Sequence, residues 1–206
     1  SGAPSIILTA SRDLQMTGSS VMFHGRNSDV KTAAVIIEAA SAANVSKSTF
    51  GSNQGPSAGA IIVTGTNTVV SLFETTFVSN VAVGEDSAAG ALEVRLEATV
   101  AISHGRFERN TGHSAKIAAG AIVLNRASIS LYDSDVLRNT VISSSSGTGS
   151  GGILSRQSNL VVVRVHLDDN DAIDPSTGQV YGTGVSTSLH AIESDAFFVS
   201  MVTLAV

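Results

Sequence analysis

The chain has 206 residues, 43% of them hydrophobic and 14% charged, with a net charge of −5 and no cysteine. That is enough apolar material for a core, and the missing cysteine excludes disulfide staples and thiolate metal sites. The mild acidity, without a basic stripe or a basic run interleaved with aromatics, argues against a nucleic-acid partner. No uncharged apolar run reaches the length of a bilayer span, and no signal peptide is expected in this chain.

In chain order the sequence falls into copies at residues 28–53, 54–80, 81–110, 111–139, 140–170 and 171–200. The first closes on Phe50-Gly-Ser-Asn53. The second opens on Ala58-Gly-Ala-Ile61 and closes on Phe77-Val-Ser-Asn80. The third runs from Ala89-Gly-Ala-Leu92 to Phe107-Glu-Arg-Asn110, and the fourth from Ala119-Gly-Ala-Ile122 to Val136-Leu-Arg-Asn139. The fifth runs from Gly151-Gly-Ile153 to Leu167-Asp-Asp-Asn170. Phe197-Phe-Val-Ser200 is a weaker sixth echo. A fixed period of this size marks a stacked repeat, in which each copy buries its apolar face against its neighbours.

From Gly59 to Asn80 is 21 positions, from Gly90 to Asn110 is 20, and from Gly120 to Asn139 and from Gly151 to Asn170 are 19. From Asn53 to Gly59 is 6 positions, from Asn80 to Gly90 is 10 and from Asn139 to Gly151 is 12. The constant part reads as scaffold and the growing part as surface loop, at 81–89, 111–119, 140–150 and 171–181. Within the scaffold, Val45, Leu72, Ile102, Leu131, Val162 and Ile192 fall in one column, and Ala43, Val70, Val100, Ile129, Leu160 and His190 in another two residues earlier. This alternation with period two, rich in β-branched residues and bounded by Gly and Ser, predicts inward-facing strands and excludes a helical repeat. The expected fold is all-β: a single-stranded right-handed parallel β-helix (solenoid) of about six to seven rungs, three short strands per rung, forming one domain over 1–206.

The Phe column (Phe50, Phe77, Phe107) should close the core, and Phe107→Ala should cost about 3–5 kcal/mol. The Asn column (Asn53, Asn80, Asn110, Asn139, Asn170) reads as a corner ladder: Asn tolerates the left-handed backbone of a sharp corner, and stacked amides can bond to one another. The aligned glycines read as bends or close approaches, not as a phosphate loop.

The alternation of G-G-A-[ILV] with F-x-x-N resembles the polymorphic outer membrane protein repeat, known from chlamydial surface autotransporters and similar solenoids in other organisms. The matching stretches are Ala58–Ile61 with Phe77–Asn80, Ala89–Leu92 with Phe107–Asn110, and Ala119–Ile122 with Val136–Asn139. The resemblance covers about residues 28–200, with Ala usually replacing the first Gly and Val136 and Leu167 replacing Phe. It implies a right-handed β-helix passenger, displayed extracellularly or at a cell surface. Its role would be adhesion or structural fibre building, with no catalytic residues in this region.

Two outward columns stand out. Lys47, Glu74, His104, Asp133, Arg164 and Ser194 form a mixed-sign column, expected to be an exposed ion-pair ladder. Ile36, Ile62, Glu93, Val123 and Leu154 form a largely apolar one. Its members Ile36, Ile62, Val123 and Leu154 are the candidate interface, because a contiguous apolar stripe implies cover by another segment or a partner. Lateral packing against other copies of the chain or neighbouring solenoid segments is the favoured reading, with a host-surface protein or glycan as the other candidate partner.

The alternative function is a carbohydrate-active β-helix enzyme, a polysaccharide lyase or epimerase. It would draw on Asp133, Asp135, His104 and Arg106, but no clustered carboxylate set with a base is visible. Flat Thr rows, as ice binding needs, are absent from the outward columns. The acidic stretch 168–174 offers hard oxygen ligands for Ca2+ but lacks EF-hand spacing and reads as a solvated turn. No cofactor is expected, and the apolar end Met201–Val206 suggests continuation or end-to-end stacking.

Overall fold

A computed structural model describes residues 6–9, 14–22, 33–143, 148–177, 189–192, 196–200 and 203–204; side chains are described for 14–22, 33–143, 148–177 and 189. Among them there is no helix, and every named strand pairing is parallel. The strands stack turn upon turn into a parallel β-solenoid.

Three sheets of seven strands each form the scaffold. Sheet A contains Ile61–Thr64, Leu92–Arg95, Ile122–Asn125 and Ile153–Arg156. Sheet B contains Val69–Phe73, Thr99–Ser103, Ser128–Tyr132 and Asn159–Val163. Sheet C contains Thr76–Val78, Arg106–Glu108, Asp135–Leu137 and His166–Asp168. The inward columns pair as the sequence period requires, with Leu72 beside Ile102 and Leu131 beside Val162. They are buried: Val70, Val100 and Ile102 are fully enclosed. Phe50, Phe77 and Phe107 stack face to face, with ring centroids 5.2 and 4.7 Å apart. That spacing follows from the strand separation of about 4.8 Å, which brings identical flat side chains on successive rungs into van der Waals contact.

The register changes in the last rung. The sequence columns place Ile192 after Val162 and His190 after Leu160, but Val162 pairs with Val199 and Leu160 with Phe197. Ile192 lies beside Arg156 and His190 beside Leu154, in sheet A. Leu204, not Phe197, sits next to Leu167. The segment between Asn170 and sheet A is longer in this copy, so counting back from the Phe197 echo assigns strands to the wrong sheet. Ser194 lies outside the described residues, as does Met201–Val206 apart from the backbone of Thr203 and Leu204.

The variable segments are not plain loops. Val81–Gly84, Thr111–Ser114, Thr140–Ile142 and Asp171–Ile173 form sheet D, with Gln54–Gly55 at its edge, and Ser87–Ala89, Ile117–Ala119 and Thr148–Ser150 form sheet E. The middle rungs therefore carry five strands, not three. Residues 144–147 and 178–181 of the predicted loops lie outside the described set. Sheets D and E enclose a small interior of Ala82, Ala88, Ala118, Val141 and Ala172. The space admits little more than methyl groups: a Cβ on Gly112 would run into the carbonyl oxygens of Ala119 and Ala88. The small-residue strand starts have the same cause. A Cβ on Gly90 would strike the carbonyl oxygen of Gly120 on the next rung, so the backbones there approach too closely for any side chain.

Candidate functional site

The repeated Asn residues build a continuous hydrogen-bonded ladder inside the wall. Asn80 Oδ1 accepts from the backbone N–H of Asn53 at 3.0 Å and from its Nδ2 at 2.8 Å. The same pair of bonds joins Asn80 to Asn110, Asn110 to Asn139 and Asn139 to Asn170, at 2.9–3.0 Å. Each Nδ2 also donates across to the carbonyl at the centre of a sheet C strand one rung back: Asn80 to Phe50, Asn110 to Phe77 and Asn139 to Phe107, each at 3.0 Å. All five amides are buried, so their polar atoms depend on partners within the protein; Asn53 Oδ1, at the end of the ladder, has none among the described residues.

The backbone reason expected for this column is corrected. None of these asparagines has positive φ; the left-handed residue is the one before it, Ser52, Ser79, Arg109 and Asp169 among them, at φ 53–55°. The corner is turned by an exposed residue of variable chemistry, and Asn is required for its amide.

The mixed-sign column marks the opposite corner of sheet C. Lys47, Glu74, His104, Asp133 and Arg164 all have φ of 47–54°, and the backbone N–H groups of the first four bond rung to rung, as in Asp133 to the carbonyl of Val163 at 3.0 Å. The register is as read, but among the described residues only one step of the column closes as an ion pair. Arg164 donates Nε and Nη2 to the two carboxylate oxygens of Asp133 at 2.5 and 2.7 Å. The hydrogen bond from Arg164 holds the Asp133 carboxyl below its ordinary value, with further help from the charges of Arg164 and His104. His104 sets its ring edge-on to Phe73, centroids 5.5 Å apart. Asp133 is thus committed to a guanidinium.

A larger charged cluster lies on the outer face of sheet C and takes in Arg106 and Asp135, two of the residues named for the enzyme alternative. Glu108, only 8% exposed, accepts from Arg106 Nε at 3.0 Å and Nη2 at 2.8 Å, and from Arg138 Nη1 at 3.3 Å. Arg109 Nη2 lies 3.3 Å from Glu108 Oε1, the oxygen that also accepts from Arg138. The hydrogen bond from Arg106 is the main cause that lowers the Glu108 carboxyl; burial pushes the other way, and the charges of Arg106, Arg109 and Arg138 add to the lowering. Arg106 extends the cluster to Asp135 at 3.7 Å, and His166 Nδ1 approaches Asp135 at 3.8 Å. The signal was present in the sequence, in Arg106, Glu108 and Asp135 flanking the buried column of Phe107 and Val136. Finding it required the two sides of the strand to be read together with the residue after it.

The candidate interface is not a surface. Ile62, Val123 and Leu154 are 4%, 0% and 0% exposed, and Ile36 is partly buried beside them. They are covered by the chain itself, through Ala58, Ala89, Ala119 and Ile117 at and within sheet E. Aspartate at Val123 or Leu154 would place a charge in a core instead of disturbing an assembly. Glu93, the polar break in this stripe, is 2% exposed. It accepts the hydroxyl of Ser57 and pairs with Arg95 Nη1 at 3.3 Å. Ser57 belongs to the segment that leads into the cover.

In the acidic stretch, Asp174 Oδ1 accepts from the backbone N–H and hydroxyl of Ser176 at 2.8 and 2.7 Å. Burial, together with the neighbouring charge of Asp169, raises the Asp171 carboxyl. Among the described residues no three acidic or histidine side chains come close enough to hold a metal ion. A shallow polar groove of about 230 Å3 runs along the corner between sheets A and B, lined by Glu97, Arg126, Ser128, Gln157 and Asn159 among others. It is open, and smaller than the clefts of about 300–1,000 Å3 that enclose small-molecule ligands.

Comparison with known proteins finds no matching family model, curated protein or solved structure.

Proposed function

We propose that this chain is a non-enzymatic β-solenoid module of an extracellular or cell-surface structure, related to the polymorphic outer membrane protein repeat and acting in adhesion or as a structural, fibre-forming element. The observation that carries the reading is how the conspicuous polar residues are used. The Asn column is consumed by its own ladder, and Asp133, Asp135 and Glu108 each face a guanidinium. A lyase or epimerase needs a carboxylate or base free to take a substrate proton. The partners are other copies of the chain, neighbouring solenoid segments, or a host-surface protein or glycan. The sheet A stripe is buried, so it is not the surface that would meet them.

Two measurements test this. Antibody labelling of intact source cells, before and after external protease, should show the chain outside; an epitope protected until lysis would overturn the location. Incubation with acidic polysaccharides should release no unsaturated sugar; steady release by the purified chain would establish the enzyme alternative.

A further inference from the structure

We infer that Asn44 is an acceptor for an N-linked glycan, carried on the outer face of sheet B. The inference rests on the extracellular reading above. Of the chain's asparagines only Asn44 stands in an Asn-x-Ser/Thr tripeptide, Asn44-Val45-Ser46. The fold explains why the ladder asparagines do not. Two residues after each comes an inward position of sheet D, occupied by Gly55, Ala82, Gly112, Val141 and Ala172, all buried. A hydroxyl there would need a partner in an apolar interior, so the rung itself keeps the buried amides out of acceptor tripeptides.

Asn44 is placed oppositely. In the strand Ala42–Ser46 the burial alternates, with Ala43 and Val45 buried at 3% and 2% and Asn44 exposed. Its lateral neighbours, Gln15 and Ser71, are exposed as well. Among the described residues nothing bonds to its carboxamide, so a sugar there displaces no contact. The row alongside holds Phe73, 38% exposed, one rung on and diagonal to Asn44. At the usual diagonal separation of about 7–8 Å, the first sugars can shield that ring. In the reaction, Asn44 Nδ2 attacks the anomeric carbon of a polyprenyl-diphosphate-linked oligosaccharide under an oligosaccharyltransferase. The new C–N bond replaces the carbon–oxygen bond to phosphate, the lipid diphosphate leaves with the electron pair, and one Nδ2 proton passes to a base of the transferase.

The test translates the full chain behind a secretory leader into microsomes and scores only protease-protected chain. Transfer acts on the unfolded chain, so a variant that later misfolds is still scored. One mobility step is expected, removed by an amidase that cleaves the glycan from Asn, lost in Asn44→Gln and Ser46→Ala, and kept in Ser46→Thr. In the secreted protein, glycosylated and enzymatically deglycosylated forms should melt at the same temperature. Protected chain without a step, or a step that survives Asn44→Gln, overturns the assignment. A glycan on Asn44 in microsomes, combined with an intracellular epitope in source cells, would sustain the acceptor chemistry while sinking the surface reading.

Discussion

The two corners that flank sheet C make the same backbone turn with opposite sequence demands. At the B–C corner the left-handed residue is Gly18 in the first described rung and then Lys47, Glu74, His104, Asp133 or Arg164, and at the C–D corner it is Ser52, Ser79, Arg109, Arg138 or Asp169. A left-handed residue costs roughly 1–2 kcal/mol for a non-glycine side chain, yet neither position settles on glycine. What differs is the neighbour that points inward. At the C–D corner it is always Asn in these rungs, because a buried amide with two donors and an acceptor joins three rungs at once. At the B–C corner it is Ser48, Thr75, Gly105, Ser134 or Val165. Ser134 is satisfied within its own turn and by one bond to the adjacent rung, donating to the Tyr132 carbonyl at 2.6 Å and accepting from Gly105 N–H at 2.9 Å. Periodic identity in a solenoid therefore marks a side chain that bonds along the axis, and variety marks a turn closed locally.

Asn110→Ala should break this comparison most visibly. It strands the Asn80 N–H and the Phe77 carbonyl in the wall, and takes one of two bonds from Asn80 Nδ2, which keeps Phe50, and from Asn139 Oδ1, which keeps the backbone N–H of residue 110. At roughly 1–3 kcal/mol for a stranded buried group, with partial relief by water, the loss should be about 3–5 kcal/mol in denaturant unfolding. Glu74→Gly, at a left-handed corner and exposed, should stay within about 0.5 kcal/mol of the parent. Comparable losses for the two would show that the corner, and not the amide, sets the cost.

Glu108→Gln should come next, at about 1–3 kcal/mol near neutral pH, since it removes a charged acceptor shared by three arginines. The folded-state value of Glu108 is depressed, so its contribution is present above the ordinary value of 4.5 and fades as pH falls through the lower folded value. The gap between parent and variant, followed by thermal melts across pH, should be full above 4.5 and close on the acid side. A gap that widens with acid would contradict the assignment of charge.

The smallest effect should be Arg164→Ala. Its pair with Asp133 is bidentate but solvated, and such pairs contribute little, less still at high salt. A larger, salt-independent loss would mean that this corner binds along the axis as the Asn corner does.

The sequence by itself determined the parallel stacking, the inward columns, the Phe stack and the rung-to-rung position of Lys47 through Arg164. Each follows from a local period of two, repeated at a distance the chain keeps constant. It did not determine that the variable segments pair into sheets D and E, because their short Ala, Gly and Ser runs become strands only when a neighbouring rung supplies the hydrogen bonds. Nor could alternation show that Val123 and Leu154 face a second interior, since period two separates one face from the other without saying what covers either. The Asn ladder lay between these cases: its positions were legible, but its physical cause was not. Only the stacked structure shows that φ is ordinary at Asn110 and that its amide is held by Asn80 below and Asn139 above.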